Sequence, residues 1–215
     1  MMGAFCAHFL LCCVFAAYVW INFDGRIFAV IFVFHGHDLR DSILQGEKTM
    51  NKTKFLTQAA VIAALYAVLT HMQNLLLPGS ATWMIQMRMS EALCVLAFFT
   101  PAAIPGLSLG CLLFNLTFAN TLPLDWLVGT LATYLAAQTM WCTRSITVKG
   151  YPLPGMLCPA IANAILVGWE LSVYIGGGFW INALYVALGE LAVLLVVGTV
   201  LFYALRVRNL DKKLF

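Results

Sequence analysis

The chain has 215 residues, of which 62% are hydrophobic and 10% are charged, and its formal net charge is +3. A mean hydropathy of +0.91 excludes a soluble domain of this length, so the chain is predicted to be an integral membrane protein. The basic residues lie in short loops and at the C-terminus, where membrane topology explains them. The sequence therefore argues against nucleic-acid binding.

Residues 1–49 are predicted to be an upstream extension that is not part of the native protein, with Met50 as the initiator. The apolar stretch from Met1 to Phe34 lacks the basic start of a signal peptide. The codons that Gln45-Gly46-Glu47 permits include a purine-rich ribosome-binding signal shortly before Met50. Residues 50–215 then form the predicted membrane domain.

Six apolar segments of about the length that a bilayer requires follow Met50. They run from Phe55 to Leu77, from near Glu91 to the turn at Thr100–Pro105, from Gly106 to about Ala119, from Asp125 to Trp141, from about Pro154 to Ile175, and from Trp180 to Leu205. The glycines at 176–178 form the predicted tight connection between the last two segments. The predicted fold class is an all-α bundle of six transmembrane helices.

Loop charges predict the orientation of this bundle. An even number of spans places both termini on one side, and the lysines and arginines of the loops fall on that side, which is therefore the cytoplasm. They are Lys52, Lys54, Arg144, Lys149, Arg206, Arg208, Lys212 and Lys213. Arg88 alone falls on the other side, which favours a functional role for it.

Polar residues lie at the outer ends of several predicted spans. Glu91 begins the second span, Asp125 begins the fourth, Glu170 ends the fifth and Asn182 begins the sixth. Carboxylates in hydrocarbon are costly and usually face a cavity or a partner, so these residues are predicted to line one outward-facing pocket. Two alternatives stay open: Asp125 caps its helix, and Glu170 or Glu190 pairs structurally.

The fifth and sixth spans each carry polar side chains at helical spacing. Asn163 and Glu170 are two turns apart and share a face, while Asn182 and Tyr185 lie on one face of the sixth span with Glu190 deeper.

Trp180 and other tryptophans flank these acids. Their commonest role is in an interfacial belt, although one or two could stack on a planar ligand.

The first span carries a stripe of small residues. Ala59, Ala63 and Ala67 lie four apart and would let another helix approach closely. Packing within the bundle and docking to a partner subunit both explain this stripe. The GxxxG pattern of Gly106 and Gly110 favours internal packing.

The chain lacks the motifs of catalysis and energy conversion. It has no phosphate-binding GxxxxGK[ST] loop, no HExxH or GxSxG motif, and no CxxC pair. The sequence therefore predicts no catalytic residue, no metal site and no bound cofactor, and a transporter made of this chain must take its energy from a partner or an ion gradient.

Several blocks of sequence resemble the queuosine precursor transporter family, QueT. They are Gln86-Met87-Arg88-Met89-Ser90-Glu91-Ala92-Leu93, the run from Phe98 to Leu107, Asn163-Ala164, Gly168-Trp169-Glu170, and the run from Trp180 to Glu190. The similarity extends from about Met50 to the C-terminus, and residues 1–49 depart from the family pattern.

That family consists of substrate-binding S components of bacterial energy-coupling factor (ECF) transporters. The resemblance implies a six-helix bundle in the cell membrane that captures a 7-deazaguanine, such as 7-cyano- or 7-aminomethyl-7-deazaguanine or queuine, on its outer face. It also implies a transmembrane coupling subunit and two cytoplasmic ATPases as partners, which bind the ATP. In this superfamily the alanine stripe of the first helix docks on the coupling subunit, which favours that role for Ala59, Ala63 and Ala67.

The predicted pocket suits such a substrate. A guanine-like edge donates from N1–H and an amine to a carboxylate, and its carbonyl oxygen accepts from a guanidinium or an amide. The residues predicted to bind substrate are Arg88, Glu91, Asn163, Glu170, Trp180, Asn182, Tyr185 and Glu190. The sequence does not assign one acid to one ligand atom.

Three other interpretations stay open. The chain could be an S component for another vitamin, or an ion-coupled secondary transporter in which Glu170 and Glu190 carry protons. An intramembrane enzyme is disfavoured because the sequence shows no nucleophile–base pair and no metal cluster.

Overall fold

The computed structural model describes residues 52–78, 80, 87–118, 122, 124–148 and 150–207. The chain divides into two units, Met1–Phe55 and Leu56–Phe215, and the architecture below is that of the second. The prediction that residues 1–49 are an extension preceding the initiator Met50 lies outside the described residues.

The described part of the chain consists of helices and contains no strand. Its α-helices are α1 (Lys52–Leu76), α2 (Ala103–Thr117), α3 (Asp125–Thr143), α4 (Leu153–Tyr174), α5 (Phe179–Val193) and α6 (Thr199–Val207). A 3₁₀ helix, Met89–Phe98, precedes α2, and a π-helical turn, Leu194–Gly198, joins α5 to α6. The predicted all-α class is confirmed for these residues.

Three of these helices are long and apolar enough to cross a membrane. They are Lys52–Leu76, Leu153–Tyr174 and the continuous helix Phe179–Val207, which joins α5, the π turn and α6. The 3₁₀ helix and α2 are shorter apolar helices of 10 and 15 residues. Ten residues is long for a 3₁₀ helix, which rarely exceeds one turn.

Two hydrogen bonds between different segments mark the two ends of the helical unit. At one end Asn115, near the end of α2, donates to the backbone oxygen of Asp125 at 2.8 Å. At the opposite end Arg206 of α6 donates to the backbone oxygen of Gly150 at 2.8 Å. We call these the Asp125 end and the Arg206 end.

The loop between α4 and α5 depends on glycine. Gly176, Gly177 and Gly178 have φ angles of 83°, 84° and 86°, a conformation that residues with a Cβ rarely adopt. The predicted tight connection is confirmed, and it returns the chain into α5 at the Asp125 end.

The small residues of α1 pack against α2. A Cβ on Gly106 would lie 2.8 Å from the backbone oxygen of Ala59, and a Cβ on Gly110 would lie 2.8 Å from that of Ala63. Ala59 and Ala63 are buried within the unit, and Ala67 is half-buried. The internal-packing interpretation therefore accounts for this contact.

Apolar packing is concentrated towards the Arg206 end. The larger core cluster includes Val95 and Phe98 of the 3₁₀ helix, Met140 of α3, Met156 of α4 and Phe202 of α6. The same cluster includes Tyr66, Cys94 and Cys111, which contact the buried charged side chains.

Candidate functional site

A buried ion pair lies at the Asp125 end. Nη2 of Arg88 lies 3.1 Å from Oδ2 and 3.4 Å from Oδ1 of Asp125, and the two side chains are 3% and 5% exposed. Burial lowers the pKa of Arg88, but Asp125, together with Cys111, Tyr66 and Glu91, offsets this and the pKa lies above its ordinary value. Asp125 is the first residue of α3, and the N-cap residue Leu124 makes no side-chain hydrogen bond to that helix end.

Gly129 provides the space for this ion pair. A Cβ at position 129 would lie 2.8 Å from Oδ1 of Asp125, 2.9 Å from Nδ2 of Asn115 and 3.6 Å from Nη1 of Arg88. The glycine lies one turn after Asp125 on α3, so its missing side chain lets three polar groups from three segments meet. We call Arg88, Asp125, Asn115 and Gly129 the ion-pair cluster.

Glu91 lies one 3₁₀ turn after Arg88 and is 1% exposed. The hydroxyl of Tyr66 donates to Oε1, which also accepts from Thr133 at 3.3 Å, and the thiol of Cys94 donates to Oε2 at 3.1 Å. Both carboxylate oxygens therefore have partners within the chain. Glu91 is predicted to begin the second span, and in the structure both it and Arg88 are buried within the protein.

Side chains of α1 fix the start of the 3₁₀ helix. The backbone N–H of Met89 donates to Oε1 of Gln73 at 2.7 Å, and Thr70 donates to the hydroxyl of Ser90 at 2.7 Å. These bonds hold the segment that presents Arg88 and Glu91.

Helices α4 and α5 carry a second group of buried polar residues. Nδ2 of Asn163 donates to Oε1 of Glu190 at 2.9 Å, and Nδ2 of Asn182 donates to the backbone oxygen of Gly176 at 2.8 Å. Four oxygens of this group are buried and have no hydrogen-bond partner among the described residues. They are Oε1 and Oε2 of Glu170, Oε2 of Glu190 and Oδ1 of Asn182. We call them the open acceptors.

The two groups of polar residues interact electrostatically. The carboxylates of Glu190 and Glu91 repel each other, and Glu170 interacts with both Asp125 and Arg88. The acids of α4 and α5 therefore lie within electrostatic range of those of α3 and the 3₁₀ helix. Buried acceptors in excess of donors suit a ligand that carries several N–H groups.

Six of the eight residues predicted to bind substrate are buried in these two groups. They are Arg88, Glu91, Asn163, Glu170, Asn182 and Glu190. Trp180 is 72% exposed and Tyr185 is 37% exposed, so both lie on the solvent-exposed side of α5 and not on its buried side. The buried face of that helix follows Asn182, Val186 and Glu190, and Tyr185 lies one position off it.

Sequence reasoning missed four residues of the site. Tyr66, Thr133, Asn115 and Gly129 contact the charged residues, but each is an ordinary residue for a packed helix. Their spacing from the charges runs from 4 to 42 residues, so only the folded chain brings most of them together. Within the described residues no group of three or more His, Cys, Asp or Glu side chains could hold a metal ion.

Comparison with protein families gives one match. A family model described as QueT transporter matches residues 56–207, which covers every helix described above apart from the first residues of α1. Searches of curated proteins and of solved structures found no match.

Proposed function

The chain belongs to the QueT transporter family, and from this premise we propose that it is the substrate-binding S component of an ECF importer. In this proposal it captures a queuosine precursor, a 7-deazaguanine, on the outer face of a bacterial cell membrane. The proposal includes six membrane-crossing segments and places both termini in the cytoplasm. The three long apolar helices support it. The chain is a membrane transporter and not an enzyme.

The observation that carries the choice of ligand is Glu170. Its side chain is buried on α4, and neither oxygen has a partner among the described residues. A carboxylate with two open oxygens is the acceptor that a guanine-like edge requires, because N1–H and the exocyclic amine are adjacent donors. Glu170 is therefore the proposed acid for that edge.

The other acids have different proposed roles. Glu91 accepts hydrogen bonds from Tyr66, Thr133 and Cys94, so its proposed role is to support the site and not to contact the ligand. Glu190 has one open oxygen beside Asn163 and would accept from an aminomethyl cation if the ligand carries one. Arg88 acts electrostatically on Glu170 and is the proposed donor to the ligand's carbonyl oxygen.

Partners follow from the same proposal. A transmembrane coupling subunit and two cytoplasmic ATPases would supply the energy, since the sequence has no phosphate-binding loop of its own. The predicted docking stripe of Ala59, Ala63 and Ala67 is largely occupied by α2. Ala60 and Ala64 on the adjacent face of α1 are exposed, and we place the docking contact there.

Ligand binding to purified protein tests the proposal. Glu170→Gln replaces one acceptor oxygen by an NH₂ donor, so the affinity for 7-cyano-7-deazaguanine should fall by roughly ten- to a hundredfold in calorimetry. Gln138→Leu is the matched control, because Gln138 also has a buried oxygen without a partner but lies on the Arg206 half of α3. Full binding by Glu170→Gln, or an equal loss in both variants, would contradict the assignment.

A second candidate function is ion-coupled transport. Glu190 favours it, because its side chain is buried on α5 with one oxygen unpartnered among the described residues, and buried acids in membrane proteins often serve in proton relays. Uptake that persists in cells lacking all ATPase partners and that collapses with the proton gradient would establish this function in place of the first.

A further inference from the structure

The buried charges of the described residues do not balance. Their buried charged side chains are four carboxylates and one guanidinium. The guanidinium of Arg88 is paired with Asp125 at 3.1 Å. Three acids, Glu91, Glu170 and Glu190, therefore have no ion-pair partner among the described residues, and a ligand that carries positive charge would complement them.

Two of these three acids have open oxygens, and the number of open oxygens differs. Glu91 is the exception, because both its oxygens accept hydrogen bonds from the chain. Both oxygens of Glu170 are open, whereas Glu190 has one open oxygen and accepts from Asn163 with the other at 2.9 Å. Glu170 can therefore accept from two adjacent donors, and Glu190 can accept from a single donor group.

Glu170 and Glu190 lie about two helical turns apart. Asn163, which donates to Glu190, lies seven residues before Glu170 on α4, and this is about 10 Å at 1.5 Å per residue. The packing of α5 agrees, because a Cβ on Gly168 would lie 2.7 Å from Cα of Ala183, which is seven residues before Glu190. One donor group cannot reach both acids, so a ligand that binds both carries donors at two separate ends.

We infer that the ligand is a cation, a 7-deazaguanine whose 7-substituent carries a protonated amine, and that Glu190 binds this amine. The inference rests on the proposed function and adds the charge of the substrate to it. Glu170 binds the N1–H and the exocyclic amine, and the ammonium group at the other end of the ligand donates to the open oxygen of Glu190. Both 7-aminomethyl-7-deazaguanine and queuine carry such an amine, whereas 7-cyano-7-deazaguanine does not.

Glu190 is then the residue that determines specificity for the amine. An ammonium group donates hydrogen bonds, whereas a nitrile nitrogen only accepts them. The nitrile would place an acceptor beside the open carboxylate oxygen of Glu190, where neither group gains a hydrogen bond. The cyano compound still binds through Glu170, but more weakly than the amine.

Calorimetry on the whole chain in detergent tests the inference with three ligands. Wild type should bind 7-aminomethyl-7-deazaguanine roughly ten- to a hundredfold more tightly than the cyano compound, because the amine forms a charge-assisted hydrogen bond. The neutral 7-ethyl compound, which has the shape of the aminomethyl compound, should bind as weakly as the cyano compound. Equal affinities of wild type for the three ligands would overturn the inference and leave the proposed function in place, whereas absence of binding for all three would overturn both.

Two variants test whether the preference for the amine belongs to Glu190. Glu190→Gln keeps the oxygen that accepts from Asn163 and replaces the open oxygen by an NH₂ donor, so the preference for the amine should disappear. Glu170→Gln is the matched control, because it should lower the affinity for all three ligands by the same factor and keep the preference. A preference that survives in Glu190→Gln, or that falls equally in both variants, would overturn the assignment of Glu190 as the residue that binds the cation.

Discussion

The four described carboxylates divide between two regions that satisfy them differently. On the side of α1 to α3, Asp125 is paired with Arg88 and both oxygens of Glu91 accept hydrogen bonds from the chain. On the side of α4 and α5, Glu170 has no partner among the described residues and Glu190 has one oxygen open.

This difference in hydrogen bonding distinguishes the residues that stabilise the fold from those that we propose bind the ligand. A buried polar group without a partner costs about 1–3 kcal/mol, and more when it is charged, so a chain carries it only where something offsets the cost. Asp125 and Glu91 have their partners within the chain whether or not a ligand is bound, and Arg88, which pairs with Asp125, is also the proposed donor to the ligand. In the proposed function the open acceptors gain their hydrogen bonds from a ligand, and we therefore expect mutations in the two regions to affect different measurements.

The largest expected effect comes from breaking the ion pair. Asp125→Ala leaves the buried guanidinium of Arg88 without its carboxylate, and removal of one partner of a buried pair typically costs about 3–5 kcal/mol. Thermal unfolding in detergent should show a large fall in Tm, with or without ligand.

A double variant is the control for that result. Arg88→Met/Asp125→Leu removes both charges and fills a similar volume, so it should recover most of the lost stability. If the double variant is as unstable as Asp125→Ala, the loss comes from packing and not from the unpaired charge.

A smaller effect is expected from Gly129→Ala. The added methyl would lie 2.8 Å from Oδ1 of Asp125, so the ion-pair cluster must shift, at a typical overpacking cost of about 1–3 kcal/mol. The neighbouring Thr130→Ala is the control, because the Thr130 hydroxyl bonds only to its own helix at Trp126. A Tm equal to that of Thr130→Ala would show that the ion-pair cluster accommodates the added methyl group without strain.

Sequence patterns predicted the helices and most of the charged residues of the site, because apolar segment length and isolated charges are local signals. The family resemblance, carried by the blocks around Arg88, Glu170 and Glu190, is confirmed by the family match. For Trp180 the sequence left an interfacial belt and stacking on a ligand both open. The exposure of Tyr185 was not predicted, since a helical spacing assigns a residue to a face only when the rotation of the helix is known.

The sequence could not predict which of the acids have hydrogen-bond partners within the chain, for a physical reason. Whether a carboxylate is satisfied depends on Tyr66, 25 residues before Glu91, and on Thr133, 42 residues after it. If α1 or α3 were rotated about its axis by the angle of one residue, Tyr66 or Thr133 would no longer reach Glu91, although the composition of the helix would be the same. Only the packed structure distinguishes Glu91 from Glu170.

The smallest expected effect on stability comes from Glu170→Leu. Its buried carboxylate has no partner to lose among the described residues, so replacement by an apolar side chain of similar size should leave the free energy of unfolding within about 1 kcal/mol of wild type, or raise it. Ligand response should change instead: 7-cyano-7-deazaguanine should raise the Tm of wild type and not that of the variant, because only a protein that binds the ligand is stabilised by it. A loss of stability as large as that of Asp125→Ala would mean that Glu170 belongs to the scaffold, and the boundary between the two regions would then lie within α4.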